Sequence, residues 1–293
     1  MTMRLAQLVA QCKARLAEAG IADAAFDARM LVLSLLGLET KDLLIKGDQE
    51  IAAADVARIE GAIRRRLARE PVHRILGERE FRNLRLKLSP GTLEPRPDTE
   101  VLVEALLPLG QEIAQRVSSP RLLDLGTGTG AIALALLHEL PQFTGLGVDI
   151  STDALETAKV NADLNGMGQR FTTLESWWFE HVTGRFDIIV SNPPYIETGV
   201  IPQLEPEVRM FDPHLALDGG KDGLDAYRNI ASAAGDHLEH GGIIAVEIGY
   251  DQKQTVTAIF ISCGYTLECA VRDYGGNDRV LVFVRKSDDS ATV

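Results

Sequence analysis

The chain has 293 residues, 45% hydrophobic and 25% charged, more than one small domain needs and enough for a sizeable core. No apolar run approaches the roughly 18 residues that would span a bilayer. The net charge of −12 is uneven: residues 1–80 hold 13 Lys and Arg against 12 Asp and Glu, and the remainder 17 against 30, so most of the chain suits bare DNA or RNA poorly.

Cys12, Cys263 and Cys269 are scattered and form no CxxC pair, which implies free thiols in a reducing cytoplasm and no disulfide frame. The six histidines lack the spacing of metal ligands, so no metal is expected.

The first 20 residues are basic with no acid before Glu18, as in a transit peptide. However, Leu5, Leu8, Val9, Cys12 and Leu16 share one helical face and Gly20 can stop it, so a structural helix is the stronger reading. "DAAFDARMLVLSLLG" follows, with Asp23 placed as N-cap and Gly37 as stop. After a short "TKDLLIKG", "DVARIEGAIRRRLARE" aligns Val56, Ile59, Ile63 and Leu67 on one side, and Pro71 ends it. Arg64, Arg65 and Arg66 beside that stripe read as a solvated helix face, with a docking patch for an acidic partner as the alternative.

From His73 the pattern changes. "EFRNLRLKLSP" alternates Leu84, Leu86 and Leu88 with polar residues, the mark of a hairpin. "PRPDTEVLVEALL" then starts a helix near Asp98 or Thr99. The expected organisation is a small helical-bundle domain over 1–72, a β-hairpin linker over 73–92 and a large domain over 93–293.

In the large domain strands and helices alternate. The strands are "RLLDL", "TGLGVDI", "RFTTLE", "FDIIVSN", "GIIAVEIG", "YTLECAV" and "DRVLVFVRK". Such alternation predicts an α/β fold with a mostly parallel, Rossmann-like sheet covered by helices. The last two strands, separated by a short turn, should be antiparallel. The closing "SDDSATV" reads as a frayed tail.

Between the first of these strands and its helix lies "DLGTGTGAIALAL", with Asp124, Gly126, Thr127, Gly128, Thr129 and Gly130. Glycines there let the backbone turn tightly and approach a ligand at the carboxyl edge of the sheet. A dinucleotide loop would read GxGxxG. GxGxG preceded by an acid repels a pyrophosphate and suits the cationic S-adenosylmethionine. Asp149, at the end of the next strand, is placed to accept the ribose hydroxyls. Of Trp177 and Trp178, one reads as core and the other as a stacking face for the adenine.

The fourth strand ends in "SNPPY". Pro193 and Pro194 cannot donate ladder hydrogen bonds, so the chain leaves the sheet rigidly beside the glycine loop. The Asn192 side-chain oxygen and the Pro193 carbonyl are two acceptors that match the two donors of a planar NH₂ group, and Tyr195 offers a flat face. Such a site could hold an adenine, a cytosine, or the amide of glutamine or asparagine, with its lone pair toward a methyl donor.

"DLGTGTGAIALAL" with "SNPPY" resembles the amino-methyltransferases of planar nitrogens. "PVHRILGEREF", "PRPDTEVLVE" and "EPEVRMFDPHLALDGGKDGLDAYRNI", with the helical N-terminal region and hairpin, resemble more specifically the release-factor glutamine methyltransferase family, over about residues 1 to 285. The resemblance implies N5 methylation of the glutamine in the Gly-Gly-Gln motif of class-one peptide-chain release factors, with S-adenosylmethionine as cofactor. It places the cofactor loop on Gly126 to Gly130, the ribose acid on Asp149, the adenine-side tryptophan on Trp178 and the amide clamp on Asn192, Pro193, Pro194 and Tyr195. Asn192, Pro193 and Tyr195 then act in catalysis, and Asn192 also borders the cofactor. The N-terminal helices and hairpin are implied to grip the release factor, in a cytoplasmic enzyme expected to be monomeric and independent of membrane or nucleic acid. The alternatives are a nucleic-acid amino-methyltransferase, a methyltransferase for another protein's glutamine, and a non-catalytic scaffold.

Overall fold

The structure, a computed structural model, describes residues 3–286; the closing "SDDSATV" lies outside the described residues. The chain forms two compact units, one of residues up to Glu78 together with Glu205–Phe211, the other of Arg79–Leu204 and Asp212 onward.

The first unit is helical: α1 (Leu5–Glu18), α2 (Ala24–Leu36), α3 (Thr40–Ile45), α4 (Ala53–Leu67) and α5 (Val72–Leu76). A two-residue strand β1 (Met3–Arg4) pairs antiparallel with β2 (Glu50–Ile51). The apolar stripe predicted for α1 is the buried one: Leu5, Leu8, Cys12 and Leu16 are inside, against Ala28, Leu31 and Val32 of α2 and Ile59 and Ile63 of α4. Truncating one such leucine to alanine costs about 2–5 kcal/mol, the lost transfer energy plus a cavity. Gly37 adopts the left-handed conformation (φ 65°) that ends α2, whereas Asp23 makes no side-chain cap.

Two expectations change here. α4 stops at Leu67, before Pro71, because Arg69 turns left-handed (φ 74°), and Pro71 instead precedes the unpredicted α5. Arg66 is not on a solvated face. It is buried, bonds Asp27 at 2.7 Å and pairs with Glu207 at 3.0 Å, while Arg65 holds Glu70. A buried guanidinium needs such partners to offset its lost hydration.

The hairpin β3 (Glu78–Phe81) and β4 (Leu84–Lys87) lies, from Arg79 on, in the second unit and is followed by a 3-10 turn Pro97–Thr99 and α6 (Glu100–Arg116). Then come β5 (Arg121–Leu125), α7 (Ala131–Glu139), β6 (Thr144–Asp149), α8 (Thr152–Leu164), β7 (Phe171–Glu175) and β8 (Phe186–Ser191). After the short α9 (Pro206–Phe211), which belongs to the first unit, follow α10 (Asp225–His237), β9 (Leu238–Glu247), α11 (Lys253–Ser262), β10 (Tyr265–Arg272) and β11 (Asp278–Arg285).

Seven strands form one sheet in the order β10-β11-β9-β8-β5-β6-β7, parallel except for β11 against both β9 and β10. The antiparallel end is the one the short turn predicted. β8 shows why these strands read as unbroken apolar runs: all six of its residues are buried, because helices cover both faces. One face packs on α6, α7 and α8, the other on α10 and α11. Chain order reverses between β5 and β8, and there the carboxyl ends of adjacent parallel strands leave a crevice for a ligand. No described helix is long and apolar enough to cross a membrane.

Candidate active site

A cavity of about 800 Å³ opens along that carboxyl edge, ample for a drug-sized ligand. Its wall takes residues from successive strand ends: Gly126, Thr127, Gly128 and Thr129 after β5, Asp149 closing β6, Trp177 and Trp178 after β7, and Asn192 and Pro194 after β8. Of the other residues singled out from the sequence, Asp124, Gly130, Pro193 and Tyr195 are not on the wall.

The glycine loop is tightly turned, with φ of 70°, 55° and 81° at Gly126, Gly128 and Gly130. A Cβ at Gly126 or Gly128 would meet no protein atom within 4 Å, so what it would fill is open space at the cavity wall. Gly147 of β6 allows the loop to sit close, since a Cβ there would lie 2.9 Å from Thr127.

Asp124 lies beneath this loop, wholly buried. Its Oδ2 accepts from the Thr127 hydroxyl at 2.8 Å and from the Ala133 amide at 3.3 Å, while Oδ1 is buried without a partner. Burial pushes its carboxyl up to about 7, against the pull of those donors. Asp149 is likewise raised by burial, and it accepts from the Gly128 amide and the Ser151 amide, each at 2.9 Å. It therefore ties the glycine loop to β6 while bordering the cavity. The Asp149 carboxylate at the wall, Asp124 buried behind the loop and an open glycine cradle fit a cationic nucleoside such as S-adenosylmethionine.

Trp177 and Trp178 both reach the wall, in edge contact with ring centroids 6.0 Å apart. Trp177 is 47% exposed. Trp178 packs on the core of one sheet face, holds a left-handed φ of 48° and buries its indole nitrogen without a partner. Positive φ at a bulky residue is strained and persists only where surroundings enforce it.

Asn192 donates from Nδ2 to the Thr99 hydroxyl at 3.1 Å, which leaves its Oδ1 as the acceptor for a ligand. The segment after it is held from two sides. The Gln252 side-chain amide donates to the Tyr195 carbonyl at 3.0 Å and to the Gly223 carbonyl at 3.2 Å. Ile196 bridges to Asp218, with Ile196 N–H donating to Leu217 and Gly219 N–H to Ile196. Tyr195 is half-buried against the core rather than free in the cavity, and burial pushes its hydroxyl up to about 12.

Sequence reasoning missed Thr99, Arg96, Glu247 and Gln252. Arg96 lines the cavity and pairs with the buried Asp212 at 2.6 Å. "PRPDTE" and "DGGKDG" marked the right stretches, but single residues in them carry no motif of their own.

The PrmC N-terminal domain family matches residues 7–77 and the methyltransferase small domain family residues 97–205. The chain is 56% identical over 280 residues to the release factor glutamine methyltransferase of Agrobacterium fabrum, covering 96% of each chain. It is 40% identical over 291 residues to that of Caulobacter vibrioides, covering 99% of each. Among solved structures, a methyltransferase from Pyrococcus furiosus matches with TM-score 0.51 at 19% identity, covering 79% of this chain and 98% of that one. The hMettl16 catalytic domain matches with TM-score 0.53 at 14% identity, covering 80% and 83%. These two share the fold alone; the sequence matches go further, and by them the chain belongs to the release factor glutamine methyltransferase family.

Proposed function

We propose that the protein transfers a methyl group from S-adenosylmethionine to the side-chain amide nitrogen of the glutamine in the Gly-Gly-Gln motif of class-one release factors. The observation that carries the site reading is Asn192, whose nitrogen is engaged by Thr99 at the wall of the glycine-loop cavity, leaving an acceptor for an amide N–H.

When bound, S-adenosylmethionine supplies an electrophilic methyl group on a sulfonium. The glycine loop from Gly126 to Gly130 would hold its amino-acid end above Asp124, Asp149 its ribose, and Trp178 its adenine, with Trp177 as competitor. The Asn192 Oδ1 and the Pro193 carbonyl would accept the two amide hydrogens of the substrate glutamine. Two such bonds fix the lone pair of a delocalised, weakly nucleophilic nitrogen in line for displacement and stabilise positive charge growing on it. Pro194, on the cavity wall, would flank the amide, with Tyr195 bracing it from the core side, and the proton lost from nitrogen passes to solvent.

Residues 1–72 and the hairpin within 73–92 are the proposed grip on the release factor, and 93–293 the catalytic domain. We place the reaction in the cytoplasm, in a monomer that needs neither membrane nor nucleic acid. A nucleic-acid amine as substrate is not favoured, since the relatives above carry the release-factor name over almost their full length.

The test is mass spectrometry after incubation with S-adenosylmethionine and a class-one release factor, its Gly-Gly-Gln→Gly-Gly-Ala variant, or a DNA and RNA pool. One added methyl on the glutamine peptide alone is expected. Methyl on nucleic acid, or on the alanine variant, overturns the substrate.

A further inference from the structure

Glu247 closes β9, and the Ser191–Val246 register sets it directly beside Asn192 at the edge of the sheet. It is 2% exposed, and its Oε2 has no hydrogen-bond partner. The Thr99 hydroxyl and the Asn192 side-chain amide both favour the charged form of its carboxyl. A buried carboxyl with an unpartnered oxygen costs stability, so its presence here calls for a functional reason.

We propose that Glu247 is a positioning residue, which with Thr99 holds the Asn192 amide nitrogen inward and so presents Oδ1 to the substrate amide. This rests on the reading of Asn192 as amide acceptor. An amide is nearly symmetric in shape, so packing alone does not choose which end faces the cavity. An ionised carboxylate does, because it can only accept. Facing it, Thr99 would turn its proton to Glu247 and offer a lone pair to Asn192 Nδ2, which fits the bond that Nδ2 donates to the Thr99 hydroxyl. The negative charge behind Asn192 also strengthens its oxygen as an acceptor for a nitrogen gaining positive charge.

The same geometry implies a pH dependence. Burial pushes the Glu247 carboxyl up to about 7; Thr99, Arg279 and Asn192 pull it down and Asp98 pushes it further up. The charged and titratable groups around it are Asp98 in the 3-10 turn, Tyr195 after β8, Tyr227 of α10 and Arg279 of β11. A protonated carboxyl can also donate, and the one-way constraint on Thr99 is lost. Turnover should therefore rise as pH climbs through about 7.

The experiment measures kcat at saturating S-adenosylmethionine and release factor for wild type, E247Q, T99V, N192A and the two doubles with N192A. E247Q should lower kcat roughly ten- to hundredfold, the range for removing an outer partner that orients a reacting-site group, with cofactor affinity unchanged. Its acid limb should flatten; saturating cofactor and a D124N control separate this from Asp124. In the N192A background E247Q and T99V should change kcat less than about twofold, because what they orient is gone. Equal fold losses in both backgrounds, or an unaltered pH limb, overturn the proposal. Should E247Q not fold, T99V and its double carry the same decision. Full turnover in N192A itself would instead overturn the reading of the site.

Discussion

Asp149 accepts two backbone N–H groups, from Gly128 and Ser151, and still borders the cavity. Asp149→Ala therefore removes the proposed ribose acceptor and a brace of the glycine loop together. Charged hydrogen bonds of this kind contribute about 1.5–3 kcal/mol, so cofactor affinity should fall roughly ten- to hundredfold by calorimetry while kcat at saturation moves little. Unchanged affinity would take Asp149 out of the cofactor site. The two tryptophans separate by the same assay. Aromatic stacking on a base is worth about 1–3 kcal/mol, so Trp178→Ala should weaken cofactor binding clearly more than Trp177→Ala. The reverse order would assign the adenine to Trp177.

At the scale of elements, the loop after β8 is moulded by glycines on a distant stretch. A Cβ at Gly219 would lie 2.8 Å from both the Pro194 carbonyl oxygen and the Tyr195 Cα, and one at Gly223, whose φ is 71°, would strike the Tyr195 carbonyl. Gly219→Ala must push the Asn192–Tyr195 segment outward. The expected result is a kcat loss of roughly a hundredfold, as for misplacing a reacting group by about 1 Å, with Tm lowered by an overpacking cost of about 1–3 kcal/mol; intact turnover would show the segment does not need this seat. The contrast explains what was legible in the sequence. Strand–turn–helix alternation announced β5 to β11 because period and apolar runs are local signals. GTGTG, Asp149 and NPPY stood out because each lies within a few residues of one strand end. Thr99, Glu247, Gln252 and Gly219 did not, since what defines them is a neighbour some 20 to 150 positions away. Arg66 misled for the same reason: its partners Asp27 and Glu207 are remote in sequence, and a run of three arginines looks solvent-facing.

Over the whole molecule, the buried carboxyls of Asp124 and Glu247 tie stability to pH. Each is pushed up to about 7 by burial, whereas an unfolded chain releases such protons near 4. Between those values the folded state binds more protons, so stability falls as pH rises from about 4 to about 7, then levels. Asp273, held by the Asn277 amide, and Asp278, held by Lys253, are shifted down, so their contribution is present above the usual carboxylate range and is lost as pH falls below it. Tm should accordingly peak in mildly acidic solution and decline toward neutrality, and D124N and E247Q should each remove part of the decline. A Tm flat from about pH 5 to 8 would contradict the burial account.

The first unit is not one continuous stretch, since it includes Glu205–Phe211 from deep within the second. Arg66 and Arg69 both depend on that insertion, through Glu207. A recombination crossover after Glu78 with a relative that lacks a carboxylate at position 207 would therefore leave Arg66 without its partner. Where the parents differ at positions 66, 69 or 207, shuffled chimaeras should keep their expression only when residues up to Glu78 and 205–211 come from the same parent, so the two segments behave as one cassette.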